Sequence, residues 1–513
     1  MLVDEIIAGN ARRKPNAVAW RFPSRAVTWR EIDDLVNQIA NTLLSLGLEP
    51  ADRVAFIAEN NPLVAALYFA APRAGLVLTP INPLSVRREV DYILRDVGAR
   101  AIVVSSGFIE RLNPVSTLAA PIILGMEADC GLAETLEQLA ARAPKTHPGV
   151  KVDDHAIRAI KYTSGTTGVP KGCISTQHQF LINIINYLAQ IPFAPEDRCL
   201  LCLPMTAGVG IAMLTAYSYM GLETIVLPRF TAAGVLDAIE AHGVTRMFAV
   251  PTLLAAMVQE QKRKPRNLSS LRLIGYGGQA AATSLILEVM DELQCGLYQV
   301  FGASEAGGFI TYLRPEDHLR LRAVSSKQQD ALGRAIVPCG REVQAFHIRI
   351  TGPDRQDVPD GEVGELTVKC DSNMSGYWNR PEQTAETLVD GWLFTGDLAC
   401  RDADGFIYIV DRKRDMIVSG GLNVYSSEVE SALQDHPEVA EAAVIGVADP
   451  YWGERVEAHI VRRKDAHLSA EELAAFAAER LAAYKRPKAY HFHESLPKTS
   501  SGKLRKVELR KTQ

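Results

Sequence analysis

Apolar and polar positions along this chain predict strands and helices that follow one another. Short apolar runs predict strands at Val54–Ala58, Ala101–Val104, Ala159–Thr163, Thr224–Leu227, Arg246–Val250 and Arg272–Gly275. Amphipathic segments predict helices at Trp29–Leu48, Leu63–Ala74, Ala233–His242, Pro251–Lys262 and Thr283–Leu293. Such alternation is typical of an α/β fold with largely parallel sheets.

The pattern changes towards the carboxyl end. Short strands joined by Gly, Pro and Asp turns predict a β-rich subdomain at about 340–410, within a large domain spanning 1–410. The charged residues 411–414 predict a hinge, and 415–513 holds enough strands and helices for a small α+β domain. Within that domain, Ser427 and Glu430 have the spacing of a capping box that opens a helix at Glu428–Gln434.

Composition narrows the function classes. The 513 residues are 47% hydrophobic and 22% charged, which is enough apolar sequence for several cores. With 55 basic and 60 acidic residues there is no basic excess, so we expect no nucleic-acid partner. The longest apolar stretch, Ile211–Leu227, contains Gly221 and Glu223 and is short for a membrane span. Eight scattered cysteines and an amino-terminal stretch without an apolar run favour a reduced, cytoplasmic protein.

A glycine- and hydroxyl-rich loop directly follows the predicted strand Ala159–Thr163. It reads Tyr-Thr-Ser-Gly-Thr-Thr-Gly-Val-Pro-Lys-Gly over residues 162–172. Backbone N–H groups and hydroxyls of such a loop can donate to phosphate oxygens, and the lysine adds a positive charge. The lysine is followed by glycine, so this is not a Walker loop. The candidate phosphate ligands are Thr163, Ser164, Gly165, Thr166, Thr167, Gly168 and Lys171.

This loop resembles the signature of the adenylate-forming superfamily, which includes acyl-CoA synthetases, adenylation domains of peptide synthetases and beetle luciferases. The resemblance continues in order from about residue 10 to 510, and it is nearest to acid–CoA ligases of the fatty-acyl and aryl type. The further matching segments are 275–281, 299–305, 376–382, 391–397, 411–412 and 497–503. The resemblance implies attack of a carboxylate on ATP with Mg²⁺ present, followed by transfer of the acyl group to coenzyme A. It also implies that the small domain is mobile and rotates between the two steps.

The resemblance assigns roles to single residues. Lys503, Glu305 and Lys171 are implied to be catalytic, with Glu305 holding Mg²⁺. Asp397 and Arg412 are implied to bind ribose or phosphate. The residues implied to surround the rest of the nucleotide are Gly277, Gly278, Gln279, Gln299, Phe301, Gly302 and Ser304.

Two further assignments concern the second step. Arg414 stands at the hinge position, where the family usually has Asp or Lys. Gly420 and Gly421 are implied to form the face that meets the coenzyme A thiol, because glycine allows close backbone approach.

The predicted acyl pocket departs from the family pattern. Many acyl- and aryl-CoA ligases have Pro-x-aromatic-His where this chain has Thr206 and Ala207 after Pro204. The predicted lining is small and apolar and includes Thr206, Ala207, Val209, Gly210, Tyr276, Gly307 and Gly308. It offers no Lys or Arg for a second carboxylate and no Asp for an α-amino group. We therefore expect a monocarboxylic acid with an apolar body, aliphatic or aromatic.

Other acceptors stay open at this point. Ala207 and Arg414 leave room for an enzyme that passes the acyl group to an amine or to a carrier-protein thiol. A regulatory nucleotide-binding protein without catalysis is disfavoured, because both Lys503 and Glu305 are retained. The identity of the acid and the formation of a homodimer stay open as well.

Overall fold

Two mainly parallel sheets form most of the large domain. The computed structural model describes residues 1–112, 122–128, 131–132, 134–163, 169–324, 337–498 and 504–511. The strands are β1 Val18–Arg21, β2 Ala26–Thr28, β3 Arg53–Ile57, β4 Val77–Pro80, β5 Ala101–Val104, β6 Ile122–Gly125, β7 Ile157–Thr163, β8 Lys171–Thr176, β9 Arg198–Leu201, β10 Glu223–Val226, β11 Arg246–Ala249, β12 Leu273–Gly277, β13 Gly296–Ala303, β14 Gly308–Leu313, β15 Arg341–Glu342, β16 His347–Thr351, β17 Gly364–Lys369, β18 Leu388–Val389, β19 Trp392–Arg401, β20 Ile407–Arg412, β21 Ile417–Ser419, β22 Leu422–Val424, β23 Val439–Asp449, β24 Gly453–Arg462 and β25 Ala489–His493.

Helices cover the faces of these sheets. They are α1 Glu5–Arg13, α2 Trp29–Ser45, α3 Pro62–Arg73, α4 Arg87–Val97, α5 Leu136–Arg142, α6 Gln177–Gln190, α7 Gly208–Tyr219, α8 Ala232–His242, α9 Pro251–Arg263, α10 Thr283–Leu293, α11 Pro315–Val324, α12 Pro381–Thr387, α13 Ser426–Gln434, α14 Ala470–Arg480 and α15 Lys506–Lys511. The alternation confirms the α/β class that the apolar pattern predicts. Within the described residues, no helix is both long and apolar enough to cross a membrane.

The sheet order explains where a site can form. One sheet runs β6-β5-β3-β4-β7-β8, and the other runs β15-β14-β13-β12-β11-β9-β10-β1-β2. All neighbours are parallel except for the pairs β7–β8, β1–β2, β13–β14 and β14–β15. The parallel strands β12 and β13 therefore end at one edge of their sheet, and ligands usually bind at such carboxyl ends.

Helices α6 and α7 follow strands β8 and β9. Helix α6 opens with a capping box, in which Thr176 accepts from the backbone N–H of Gln179 and the Gln179 side chain accepts from that of Thr176. Helix α7 opens at Gly208 without a side-chain cap. Most of α7 is buried, which explains the apolar sequence from Ile211 onward.

The carboxyl-terminal part has a sheet and a core of its own. Strands β22-β21-β24-β23 form the sheet, and β25 lies parallel to β24. Helices α13 and α14 bury a cluster that includes Val429, Leu433 and Leu473 against it. A β-rich sheet of β16 to β20 precedes this part, so the β-rich subdomain and the smaller α+β domain are both confirmed.

The predicted capping box of α13 is wrong. The helix begins at Ser426, one residue after Tyr425, which makes no side-chain cap hydrogen bond. Ser427 instead donates to the carbonyl of Val410. Glu430 accepts from the backbone N–H of Val444 at 2.8 Å and pairs with Lys506 at 2.6 Å. Tertiary partners therefore take both side chains away from the local motif.

Candidate active site

A β-hairpin carries the predicted phosphate-binding loop. Strands β7 and β8 are antiparallel, with Thr163 opposite Lys171 and Lys161 opposite Cys173. Directly opposed residues share a face of the sheet, so Lys161, Thr163 and Lys171 all lie on one side of the hairpin. Five predicted phosphate ligands, Ser164, Gly165, Thr166, Thr167 and Gly168, lie outside the described residues.

Tyr377 links Lys171 to Glu305. The ammonium nitrogen of Lys171 lies 4.4 Å from the centroid of the Tyr377 ring. The hydroxyl of the same tyrosine donates to Oε1 of Glu305 at 3.1 Å. The segment around Tyr377 is fixed by hydrogen bonds from Trp378 to the Gly172 carbonyl at 2.8 Å and from Met374 to the Glu305 carbonyl at 2.7 Å. The Tyr377 side chain thus has a lysine ammonium over its ring and a carboxylate at its hydroxyl.

The carboxylate of Glu305 suits a hard divalent cation. The residue lies in a short 3₁₀ turn, Ser304–Ala306, directly after β13. Among the described side chains, Tyr377 is its one hydrogen-bond donor, so a second oxygen remains for a metal. Oxygen ligands of this kind bind Mg²⁺ together with substrate phosphates. The other predicted catalytic group, Lys503, lies outside the described residues.

Strands β12 and β13 carry the residues that the sequence predicts beside adenine. A Cβ atom on Gly277 would lie 2.2 Å from the carbonyl oxygen of Val300, so only glycine is compatible with this strand spacing. Gln299 is 6% exposed, and its Oε1 has no hydrogen-bond partner among the described residues. An orphaned amide oxygen suits the exocyclic amino group of adenine, which is a hydrogen-bond donor. Phe301, two residues after Gln299 on β13, is partly buried. Gly278 and Gln279 are exposed.

Gly302 lets β13 and β14 approach each other. A Cβ atom there would lie 1.5 Å from the carbonyl oxygen of Gly308, which no side chain tolerates. Gly307 and Gly308 have φ values of 80° and 140°, in the region that favours glycine. These glycines therefore shape the turn that presents Glu305.

Asp397 and Arg412 are brought together by strands β19 and β20. The two residues are paired in register, and Nε of Arg412 lies 2.8 Å from Oδ1 of Asp397. The Asp397 side chain is 4% exposed, whereas that of Arg412 is 47% exposed. A buried carboxylate with an open guanidinium beside it can accept from ribose hydroxyls and donate to a phosphate or a ring oxygen.

The predicted acyl-pocket residues lie around the start of α7. Ala207 and Gly208 are exposed, Thr206 and Val209 are partly buried, and Gly210 is buried. A Cβ atom on Gly210 would lie 2.1 Å from the carbonyl oxygen of Pro204, so the chain turns tightly here. The Oγ1 atom of Thr206 is buried and has no hydrogen-bond partner among the described residues.

Tyr276 faces away from the glycines next to it on β12. Its side chain is fully buried in the second apolar core, and its hydroxyl lies 2.9 Å from Nε2 of His318. Burial lowers the pKa of His318 to about 4, so this imidazole is neutral near neutral pH. The strand alternation explains the difference, because Gly275 and Gly277 face one side of β12 and Tyr276 faces the other.

Lys161 is the group that the sequence analysis missed. Its amino nitrogen lies 3.8 Å from the position that a Cβ on Gly208 would occupy, at the first turn of α7. Burial, and then the charge of Arg158, lower the pKa of Lys161 to about 8, whereas Glu305 opposes that shift. Lys161 is therefore a cation near the start of α7 that the predicted lining does not include, and the absence of a Lys or Arg for a second carboxylate stays a prediction. The alternation of Lys161 with Thr163 on β7 is the signal that could have revealed it.

Arg158 adds a second cation behind Lys161. It is 1% exposed, and its Nε and Nη1 atoms have no hydrogen-bond partner among the described residues. The guanidinium carbon lies 3.7 Å from the centroid of the Phe180 ring, a cation–π contact. A register shift between Ile157 and Ala159 places Arg158 at a bulge of β7. Together the two cations make this end of the site electropositive.

The residues just before and just after Arg414 form ion pairs with different parts of the chain. Before it, Lys413 pairs with Glu365 at 2.8 Å, in the β-rich subdomain. After it, Asp415 pairs with Arg510 of α15 at 3.0 Å. Strand β20 continues to Arg412, so the regular structure extends into the predicted hinge. The division of domains at 411–414 stays a prediction.

The predicted coenzyme A face is a tight turn beside exposed aromatic rings. Gly420 and Gly421 have φ values of 60° and 79° between β21 and β22. The backbone N–H of Gly420 donates to the carbonyl of Trp452 at 2.7 Å, and a Cβ on Gly420 would meet the Trp452 ring at 3.0 Å. Tyr451 is 82% and Trp452 40% exposed. The turn thus presents backbone and aromatic surface together.

Comparison with known proteins agrees with this geometry. The family model described as AMP-binding enzyme matches residues 7–378, and that of the AMP-binding enzyme C-terminal domain matches residues 428–503. A feruloyl-CoA synthase from an Amycolatopsis species is 35% identical over 504 residues, covering 98% of this chain and 97% of its own.

Solved structures extend the comparison. The o-succinylbenzoate CoA synthetase of Bacillus subtilis with its acyl-adenylate has a TM-score of 0.86 and 28% identity, covering 98% of this chain and 97% of that one. The same enzyme has been solved with ATP and a magnesium ion, at a TM-score of 0.85. The amide bond synthetase McbA of Marinactinospora thermotolerans has a TM-score of 0.86 and 27% identity, with full coverage of both chains. The chain therefore belongs to the AMP-binding enzyme family, with the AMP-forming acyl-CoA synthetases of the adenylate-forming superfamily.

Proposed function

We propose that this protein activates a monocarboxylic acid with an apolar body, aliphatic or aromatic, and transfers the acyl group to coenzyme A. The observation that carries the proposal is the arrangement of Lys171, Tyr377 and Glu305. In this arrangement a lysine, which we assign to phosphate, and a carboxylate, which we assign to Mg²⁺, contact the same tyrosine side chain. ATP and a carboxylate are both anions, so bringing them together requires this kind of charge.

In the first step, a carboxylate oxygen of the acid attacks the α-phosphorus of ATP. A bond forms between oxygen and phosphorus, the bond to the β,γ-phosphates breaks, and pyrophosphate leaves. We assign Lys171 and the loop 163–168 to the phosphates, and Lys503 to the charge that develops at the α-phosphate. Asp397, Arg412 and Gln299 would hold the nucleoside. Mg²⁺ bound at Glu305 would neutralise phosphate charge.

In the second step, the thiolate of coenzyme A attacks the acyl carbon. The carbon–sulfur bond forms, the carbon–oxygen bond to AMP breaks, and AMP leaves. We assign the approach of the thiol to the turn at Gly420 and Gly421, where no side chain obstructs the backbone. The exposed Tyr451 and Trp452 next to this turn offer apolar surface that a rotated small domain could bury.

Lys161 refines the substrate assignment. Its amino group lies at the first turn of α7, and Glu305 contributes to its electrostatic environment. This position is the reaction end of the pocket, where the family pattern places a histidine and this chain has Ala207. We therefore assign Lys161 to the reacting carboxylate, and we retain an apolar body for the rest of the acid.

The test is pyrophosphate release over a panel of aromatic and aliphatic monocarboxylic acids, with and without coenzyme A. Dicarboxylic acids of matched length serve as substrate controls. We expect turnover that depends on coenzyme A, with the thioester identified by mass spectrometry. Glu305→Gln should abolish it, whereas Glu382→Gln on the exposed face of α12 should leave it unchanged. Turnover restricted to dicarboxylates would contradict the assignment of Lys161 to the reacting carboxylate.

A second candidate shares the first step and uses another acceptor. Ala207 at the reaction end and Arg414 at the hinge both differ from the usual acid–CoA ligase pattern. A solved neighbour is an amide bond synthetase of nearly equal similarity. Pyrophosphate release that is indifferent to coenzyme A, with the acyl-adenylate accumulating, would favour an amine or a carrier-protein thiol as acceptor.

A further inference from the structure

Four metal-binding side chains share one face of the small domain's sheet. Glu457 and His459 lie on β24, and His491 and His493 lie on the parallel strand β25. His459 is opposite His491 in the register. Because side chains alternate along a strand, all four point to the same face. Three of the eleven histidines of the chain thus meet at one place, on two paired strands of the small domain's sheet.

The candidate ligand atoms lie close enough to one another for a single metal ion to bind them with small side-chain shifts. Glu457, His459 and His491 each offer a ligand atom within 4.8 Å of the others. Nε2 of His491 lies 3.0 Å from Oε2 of Glu457. The rings of His459 and His491 are stacked, with centroids 4.8 Å apart. Glu457 and His459 are buried, whereas the His491 side chain is 41% exposed, so one side of the cluster is open to solvent.

Hydrogen bonds orient two of the clustered side chains, His459 and Glu457. Nδ1 of His459 lies 2.9 Å from Nε2 of His493, which orients the His459 ring. The other ring nitrogen of His459, Nε2, is buried and has no hydrogen-bond partner among the described residues. The whole residue is only 4% exposed. Arg455 donates to Oε1 of Glu457 at 2.6 Å, which leaves Oε2 on the side of His491. Oriented ligands of this kind, with outer partners, are typical of metal sites.

The types of the donor atoms also indicate which kind of ion would bind. Two imidazoles and one carboxylate prefer zinc-like ions over Mg²⁺, which favours oxygen ligands alone.

We propose that Glu457, His459 and His491 form a binding site for a divalent transition metal, Zn²⁺ in the first instance, with water completing the coordination. His493 is the outer partner that orients His459. The ion would tie β25 to β24, and β25 is the strand that precedes the segment carrying Lys503. The site is independent of the Mg²⁺ that accompanies ATP and of the identity of the acid.

The test uses the full chain after treatment with a chelator. Zn²⁺ is titrated by calorimetry, and Co²⁺ by its visible absorption, into the original protein, His491→Gln and His347→Gln. His347 is an exposed histidine on β16 of the large domain, so it is the matched control. We expect one Zn²⁺ per chain, four-coordinate Co²⁺ absorption, and at least about a tenfold loss of affinity in His491→Gln. His491 is the most exposed of the three ligands, so this variant should fold.

Thermal unfolding provides the second readout. Zn²⁺ should raise the unfolding temperature of the original protein and of His347→Gln, and it should not do so for His491→Gln. Equal Zn²⁺ affinity in His491→Gln and the original protein would overturn the proposal. So would the absence of Zn²⁺ binding to the chelator-treated chain, which would leave the histidines as a ring stack held by Glu457.

Discussion

Replacing Lys161 by methionine should stabilise the protein while impairing its reaction. Methionine has a similar length and no charge, so the substitution removes the cost of holding an ammonium group beside Arg158. The pKa of Lys161 falls from its ordinary 10.5 to about 8 in the folded chain. At about 1.4 kcal/mol for each tenfold change in proton affinity, the cost is about 3 kcal/mol. This is an upper limit, because Lys161 is only partly buried and water screens its charge.

The same two pKa values of Lys161 determine how the stability difference between the variant and the original protein changes with pH. Below about pH 8 the lysine is protonated in both the folded and the unfolded chain, so the full cost is present. Between about pH 8 and 10.5 the unfolded chain binds more protons, and the stability of the original protein rises with pH. The advantage of Lys161→Met should therefore be largest at neutral pH and should shrink as the pH approaches 10.5.

Thermal unfolding at about pH 7 and about pH 10 measures this difference. For a cooperative unit the size of the large domain, about 3 kcal/mol corresponds to about 3–4 °C in the unfolding midpoint. Lys151→Met is the matched control, because Lys151 is exposed before β7 and should change the midpoint little. The reasoning is refuted if Lys161→Met unfolds at the original temperature near pH 7, or if its advantage is the same at both pH values. Steady-state kinetics should show a raised KM for the acid.

Three further substitutions test the rest of the site. Tyr377→Phe removes the donor to Glu305 but keeps the ring beside Lys171, so the KM for magnesium-bound ATP should rise about fivefold, the equivalent of about 1 kcal/mol. An unchanged KM would show that Tyr377 does not orient Glu305. Asp397→Asn should raise the KM for ATP at least about tenfold, as expected for a lost charge-assisted bond, and should leave the KM for the acid nearly constant. Equal changes in both constants would count against a ribose contact. Gly302→Ala should lower the unfolding midpoint, because its Cβ would lie 1.5 Å from the Gly308 carbonyl oxygen, whereas Gly107→Ala has open space and should not.

Element types and many boundaries could be predicted from the sequence. The apolar period predicts a helix at Thr283–Leu293, and α10 has the same bounds. The strand predicted at Arg246–Val250 is one residue shorter in the structure. These elements are decided by local pattern, because each buries one stripe or one face and ends at turn residues.

Features that depend on distant partners could not be predicted in the same way. The spacing of Ser427 and Glu430 fits a capping box, yet Val410, Val444 and Lys506 compete for the two side chains. Their positions next to α13 are set by the packing of the small domain, and the local pattern contains no information about that packing.

The candidate site shows both cases within a few residues. The motif containing Thr163 and Lys171 reveals itself by composition, because hydroxyls, glycines and a lysine are unusual together at the end of a strand. Lys161 stands in an apolar strand without a signal in the composition, and its alternation with Thr163 indicates only that the two side chains share a face. The pairing of β7 with β8 and the position of α7 bring its amino group to Gly208. The orientation of Tyr276, in contrast, could be predicted from the sequence. Strand alternation alone places its side chain on the other face of β12 from Gly275 and Gly277.

The central claim is that the acid reacts through an acyl-adenylate before coenzyme A attacks. The direct measurement uses the acid that the substrate panel selects, with both carboxylate oxygens replaced by a heavy isotope, and analyses AMP and pyrophosphate by mass spectrometry. Attack of the carboxylate on the α-phosphate leaves one carboxylate oxygen on AMP when the thioester forms. The account predicts one heavy oxygen in AMP and none in pyrophosphate, with the thioester retaining the other. Unlabelled AMP, or label in a phosphate released from ATP, would contradict it.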